Sequence, residues 1–167
     1  MMSELDFYIV DVFAVGKYTG NQLAVFPAAQ GLDLKQMQSI AHEINFSEST
    51  FVTGDPQNQA YPVKIFTPAV ELPFAGHPTL GTAWVLRHLH PSLTTVTLNY
   101  TAGQIPVSFA EINHISVVWM KQNKPEFLGT LAAADLALVL GVDLNDIDLN
   151  YPIEQVSTGL PFIIVPL

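Results

Sequence analysis

The sequence predicts an α+β fold. Its strand and helix candidates come as strands, helix, strands, helix, strands, helix, without the strict βαβ alternation of a doubly wound parallel sheet. One helix candidate carries a single apolar stripe, whereas another is apolar on almost every side. After the second of these, three strand candidates follow at the short spacing of an antiparallel meander.

Residues 5–13 (LDFYIVDVF) are rich in β-branched and aromatic side chains and predict a largely buried strand. Gly16, Thr19, Gly20 and Asn21 make a turn, and a second strand covers 22–26. Asp33 starts a helix, with Gln36 three residues on completing a capping box. Leu34, Met37, Ile40, Ala41 and Ile44 form its apolar stripe, and Asn45 is the stop signal. Residues 46–53 (FSESTFVT) and 61–67 are extended, separated by a polar Gly-Asp-Pro loop.

A loop with Pro68, Pro73 and Gly76 then leads into a helix opening at His77-Pro78, since proline is tolerated at a helix start, where its missing N–H has no partner anyway. From Leu80 to Leu86 this helix shows no charge, which predicts burial on all sides, with a polar mouth at His77 and Glu71 nearby. Strands are expected at 93–100, 104–110 and 115–120, and a short helix capped by Thr130 and closed by Gly141. The last segment, 161–167 (PFIIVPL), is apolar and strand-like. It either pairs in its own sheet or belongs to something longer that covers it.

At 167 residues, 49% hydrophobic and 13% charged, the chain is sized for one ordinary domain with a sizeable core. Cysteine is absent, which removes disulfides, thiolate catalysis and cysteine metal sites. No apolar run reaches the ~18 residues of a membrane helix. The first eleven residues carry acids where a leader has basic residues, so a cytoplasmic location is the default. Six basic against 15 acidic residues give a formal charge of −9, so neither nucleic acid nor an anionic membrane is expected as a partner. Five of the acids lie between Asp135 and Glu154 with no Lys or Arg among them, the pattern of a solvated face.

Two residues stand out chemically. Glu48, held between Phe46 and Phe51, would be desolvated, which raises a carboxyl's pKa and lets it exchange protons near neutrality; the other reading is an acid on the solvent side of an edge strand. His77 sits where the first-turn N–H groups of a helix favour an anion such as a substrate carboxylate; the other reading is a capping or core histidine. Glu71 and Asp11 are lesser candidates that can equally orient nearby backbone N–H groups. His42, His88, His90 and His114 show no ligand pattern, so no metal is expected. Gly16 to Asn21 has neither a Rossmann fingerprint nor a Walker lysine, so no nucleotide cofactor is expected.

Together these stretches resemble the N-terminal half of the phenazine-biosynthesis PhzF-type isomerase family, which shares the diaminopimelate epimerase fold. The resemblance rests on D-V-F-A at 11–14, G-N-Q-L-A-V-F at 20–26, N-F-S-E-S-T-F-V at 45–52, I-F-T-P at 65–68 and E-L-P-F-A-G-H-P-T-L-G at 71–81. It continues more faintly through S-T-G-L-P at 157–161. It implies a mixed, barrel-like sheet wrapped around one apolar helix, with 1–167 as a single N-terminal domain and the family's C-terminal domain absent or truncated. It further implies Glu48 as the proton-transferring acid/base and His77 as an active-site histidine. Gly76, Ser47, Asn21 and Pro78 are then the residues expected to border the substrate.

The implied chemistry is cofactor-independent movement of a proton between carbons of a small carboxylated substrate. The chain has no cysteine pair, so the two-thiol mechanism of the epimerase branch is not available to it. The aspartate and D-x-A-T-G-S-type loop of the family's second half are also missing from these residues. Two outcomes are therefore expected: an isomerase whose second wall comes from elsewhere, or a non-catalytic folded half. Either leaves apolar surface open, and the expected assembly is a homo-oligomer (a dimer) or a pairing with a C-terminal half.

Overall fold

The computed structural model describes residues 4–58 and 60–167; the first residues of the segment inspected for a leader lie outside them. Its contacts separate into two compact units, Met1–Gln122 and Asn123–Leu167.

The first unit contains β1 (Tyr8–Val12), β2 (Asn21–Phe26), α1 (Leu34–Ile44), β3 (Glu48–Val52), β4 (Ala60–Phe66), β5 (Glu71–Leu72), α2 (Gly76–Leu89), β6 (Thr95–Tyr100), β7 (Gly103–Ile112) and β8 (Ile115–Met120). Seven strands run in the order β1-β2-β3-β4-β6-β7-β8, with β5 paired to β4. β2 and β3 are parallel, joined through α1, and β4 and β6 are parallel, joined through α2; the remaining pairs are antiparallel. The sheet is therefore mixed. It forms a half-barrel around α2, which packs against β1, β2, β3, β6, β7 and β8.

Strand alternation divides the core into two layers. On the inner face Leu23 and Val25 of β2 cluster with Val12 and Val85, while Val52, Ile65, Leu98, Ile105 and Val107 pack with Ala83 and Leu86 of α2. On the outer face Ala24, Phe26, Phe51 and Phe66 meet Met37 and Ala41 of α1. Phe26 stacks on Phe51 at 4.7 Å between ring centroids, and Phe51 meets Phe66 edge-on at 5.7 Å. The start of α1 has the expected capping box, in which Asp33 Oδ1 accepts from the Gln36 N–H at 2.8 Å and Gln36 Oε1 accepts from the Asp33 N–H at 2.9 Å. Asn45 closes the helix in the left-handed conformation, φ 57°, its N–H donating to the Ala41 carbonyl at 3.0 Å.

Three expectations for this unit need correction. The first strand is half-exposed: Ile9 is 59% exposed, because β1 is an edge strand and only one of its faces meets α2. The central helix is not buried on every side, since Trp84 is 44% exposed. It stacks on His88 with centroids 5.5 Å apart, beside a groove of about 710 Å3 between β1 and β8 that also touches Tyr8, Val10 and Leu80. Finally, α2 starts at Gly76 with Ala75 as its cap residue, so Pro78 is the third helical residue. Proline is still tolerated there because the first-turn N–H groups have no intrahelical acceptor.

The second unit contains β9 (Glu126–Thr130), α3 (Ala133–Leu140), a 3-10 turn (Leu144–Asp146), β10 (Glu154–Ser157) and β11 (Pro161–Ile164). Its sheet has the order β11-β10-β9, so the apolar end segment pairs within this unit. Thr130 does not cap the helix: it is the last residue of β9, opposite Glu154, and Ala132 takes the cap position without a side-chain bond. Gly141 closes α3 as expected, at φ 70°. Leu136, Ala137, Ile147 and Ile153 form a small core. Several acids of the 135–154 stretch have local work: Asp143 accepts from the Asn145 N–H, Asp146 from the Asp143 N–H and Asp148 from the Asn150 N–H.

Candidate active site

The alternation that builds the inner core also aims the polar groups. Asn21 precedes Leu23 and Val25 on the inner face of β2, and Glu48 precedes Thr50 and Val52 on the inner face of β3. The two strands are parallel with Leu23 beside Glu48, so both polar residues lie at the same end of the sheet. His77 reaches that end from the first turn of α2. A buried hydroxyl pair fixes helix to strand one turn further in. Thr82 Oγ1 donates to the Pro78 carbonyl at 2.7 Å, and its remaining contact, 2.8 Å to Thr50 Oγ1, is then a bond donated by Thr50.

His77 Nε2 lies 3.4 Å from Glu48 Oε2, with the two side chains 10% and 17% exposed. Both of these atoms are buried and neither makes a hydrogen bond within the chain. On the other side of the ring, Nδ1 is 3.2 Å from Asn21 Nδ2, and Asn21 Oδ1 accepts from Ser47 Oγ at 3.0 Å. Ser47, Asn21, His77 and Glu48 therefore form one continuous polar line. The α2 start beside it has no side-chain cap, and a Cβ on Gly76 would stand 3.4 Å from Met120 Cε.

Burial pushes the His77 imidazole below its ordinary value, opposed by the Glu48 carboxylate and by hydrogen bonding to the Gln22 backbone. The ring is neutral at neutral pH, so its contact with Glu48 is polar and not an ion pair. The unfolded chain takes up this proton near about pH 6.5 while the folded ring resists it. Stability should therefore be lost as pH falls below about 6.5 toward the folded value, and His77→Gln should flatten that part of the profile. Urea melts across this range, with and without the substitution, measure the effect.

The lesser candidates have structural partners. Asp11 Oδ2 accepts from the Tyr18 N–H at 3.1 Å and orders the turn before β2, and Glu71 pairs with Lys64 at 2.6 Å. His42 faces the Pro68 carbonyl, His88 stacks on Trp84, and His114 lies beside Glu111. Among the described residues no three His, Cys, Asp or Glu side chains gather as a metal site. The sequence motifs point to Asn21, Ser47, Glu48 and His77 separately and do not join Asn21 to His77. The available signal was parity: Asn21 shares its face with Leu23 and Val25.

A half-barrel around a central helix, with an acid and an imidazole at the helix's entrance, places the protein in the diaminopimelate epimerase-like fold class. Residues 10–167 match the family model described as phenazine biosynthesis-like protein, and the chain belongs to that family. It is 38% identical to an uncharacterised isomerase of Pasteurella multocida over 86% of this chain and 53% of that protein. It is 37% identical to the trans-2,3-dihydro-3-hydroxyanthranilate isomerase of Pseudomonas fluorescens over 97% of this chain and 57% of that protein. A solved structure described as a predicted epimerase of Pseudomonas aeruginosa superposes with a TM-score of 0.88 at 34% identity, covering 98% of this chain and 60% of that one. The chain thus spans a little over half the length of these relatives.

Proposed function

We propose that this chain carries the acid/base part of an isomerase that moves a proton between carbons of a small carboxylated metabolite without a cofactor. The observation behind this reading is the pair Glu48 Oε2 and His77 Nε2: two buried polar atoms, 3.4 Å apart, with no hydrogen bond inside the chain, at an uncapped helix start. Buried polar atoms without partners are costly, and a site that meets its substrate is one place where that cost is tolerated. Glu48 takes a proton from one carbon as that C–H electron pair forms a new C=C bond and the pair of the adjoining double bond shifts to its far carbon, which takes the proton back from Glu48. His77 hydrogen-bonds the carboxylate as it loses and regains its charge. The N–H groups of Gly76 and His77 receive the substrate carboxylate, with Pro78 holding the first turn.

In this reading residues 1–167 act as the N-terminal part of a cleft whose other wall comes from a C-terminal half or from a second copy. The named Pseudomonas fluorescens relative supplies the test substrate, trans-2,3-dihydro-3-hydroxyanthranilate. In D2O, the chain or the longest product of its reading frame should form isomer carrying deuterium at a ring carbon. Formation of neither isomer nor labelled substrate by either preparation overturns the proposal for this substrate class.

A second reading, a non-catalytic folded half that self-associates, draws on the apolar surface of the second unit, where Leu138 is 84% and Val139 80% exposed. Light scattering should then report a dimer or larger at micromolar concentration. Under either reading a monomer that persists on concentration counts against the open apolar face as an interface.

A further inference from the structure

The enclosed polar side chains of this fold are not scattered. Among the described residues, Tyr100 apart, they are Ser49 and Thr50 on β3 and Thr79 and Thr82 on α2. These are the two elements that carry Glu48 and His77. Deeper in, α2 meets the sheet through apolar side chains, with Val85 against Leu23 and Val25, and Ala83 and Leu86 against Val52, Ile65 and Leu98. Thr50 Oγ1 and Thr82 Oγ1 are 2.8 Å apart, and neither residue has exposed surface. The one proton of Thr82 goes to the Pro78 carbonyl at 2.7 Å, which can only accept, so Thr50 is the donor between the two hydroxyls.

Two valines would fill the same space, and replacing both partners of a buried hydrogen bond by apolar groups of the same shape is close to neutral for stability. Stability therefore gives no reason for hydroxyls here, whereas their placement does. Thr50 lies two residues beyond Glu48, about 6.6 Å along β3, and Thr82 lies five residues beyond His77, about 7.5 Å along α2. Strand and helix are thus joined at nearly the same depth below the acid and the imidazole. Through the Pro78 carbonyl the link reaches the residue next to His77. Three residues nearer the mouth Thr79 repeats the device: its hydroxyl donates to the Ala75 carbonyl at 2.7 Å, while its N–H reaches that carbonyl only at 3.3 Å. Apolar contact has no preferred direction, but a hydroxyl pair holds to about 2.5–3.0 Å and to a narrow range of angles.

We propose that Thr50, paired with Thr82, is a positioning residue that sets the spacing of Glu48 and His77 by fixing β3 to α2 beneath them. The proposal rests on the acid/base reading of that pair and adds the device that keeps its 3.4 Å separation. Neither threonine touches substrate, because both are without exposed surface.

Two substitutions separate the hydroxyl from the shape of the side chain. Thr50→Val keeps the shape and removes the hydroxyl, and Thr50→Ser keeps the hydroxyl and removes the methyl. Thr82 retains its bond to the Pro78 carbonyl in either, so no donor is stranded. The titration of the His77 ring, followed by NMR in the full chain with signals identified by their loss in His77→Gln, reads the spacing without turnover, since burial and Glu48 both set it. Thr50→Val should displace its midpoint, and Thr50→Ser should leave it in place. In an assembly that turns over, Thr50→Val should lower kcat by about 10- to 100-fold with KM nearly unchanged, and Thr50→Ser should stay close to the unsubstituted rate. Thr50→Val combined with Thr82→Val should melt within a few degrees of the unsubstituted chain and show the same displaced titration. The proposal is overturned if Thr50→Val leaves the titration unmoved, or if Thr50→Ser displaces it as far as Thr50→Val does. Should the double variant not fold, the two Thr50 variants alone decide. A displaced titration in an inactive protein sinks only the isomerase reading, and an unmoved one in an active protein sinks only the role given to Thr50.

Discussion

Glu48→Gln is expected to lower turnover by about 10²- to 10⁴-fold in any active assembly, the range typical for loss of a positioned acid/base group. The substitution keeps the size of the side chain and offers His77 Nε2 either an amide oxygen or an amino group, so the geometry around the 3.4 Å contact should survive. What disappears is the ability to take and return a proton. KM should change little, because the expected carboxylate-binding groups are backbone N–H groups of α2 and not Glu48. Loss confined to kcat, with an unchanged far-ultraviolet spectrum and melting point, supports proton transfer by Glu48. Activity within a few-fold of the unsubstituted protein removes Glu48 from the mechanism and leaves His77 as the remaining candidate.

The second large effect is one of stability. A Cβ placed on Gly81 would meet Leu23 Cδ2 at 2.6 Å, Val12 Cγ2 at 2.9 Å and Val10 Cγ2 at 3.2 Å. All three belong to the inner face where α2 lies against β1 and β2, and Leu23 has no exposed surface. Glycine inside a helix costs ~1 kcal/mol relative to alanine, so its place here reflects the closeness of helix and sheet. Gly81→Val should destabilise by about 3 kcal/mol, the upper part of the overpacking range. For a chain of this size that is a fall in Tm of roughly 2–4 °C per kcal/mol. Gly31→Ala is the matched control: nothing lies within 4 Å of its added Cβ, and its effect should stay within about 0.5 kcal/mol. Equal melting points for the two variants would mean that the inner face yields more easily than its packing implies.

The parts of this fold that could be read from sequence are those whose signals are local. The box at Asp33 and Gln36, the stop at Asn45 and the meander of β6, β7 and β8 each follow from neighbours a few residues apart. Burial of an apolar segment does not, because it depends on which strands lie on either side. β1 has the composition of an inner strand, yet Ile9 faces outward at the sheet's edge. β9 has no local strand signal for a related reason. It is flanked by Pro125 and interrupted by Gly129 at φ 152°, and only pairing with β10 makes it a strand. Thr130, shortly before the largely apolar segment 133–140, has the residue type of a helix cap but is held in the ladder opposite Glu154. At the candidate site, the motifs point to Glu48 and His77, while Asn21 and Glu48 come to the same end of the sheet only through the parallel pairing of β2 and β3. Their meeting with His77 depends on two crossovers that no spacing rule reveals.

Those crossovers also govern when the polar line can exist at all. Ser47 and Asn21 are 26 residues apart, and Asn21 and His77 are 56 residues apart. Each contact closes a loop whose entropy must be met before it contributes anything, so such contacts belong to the late stages of folding. No fragment lacking β2, β3 or α2 can hold the arrangement. The contact between His77 and Asn21 is therefore a report on completed assembly of the half-barrel, and its appearance during refolding should lag behind helix formation in α1.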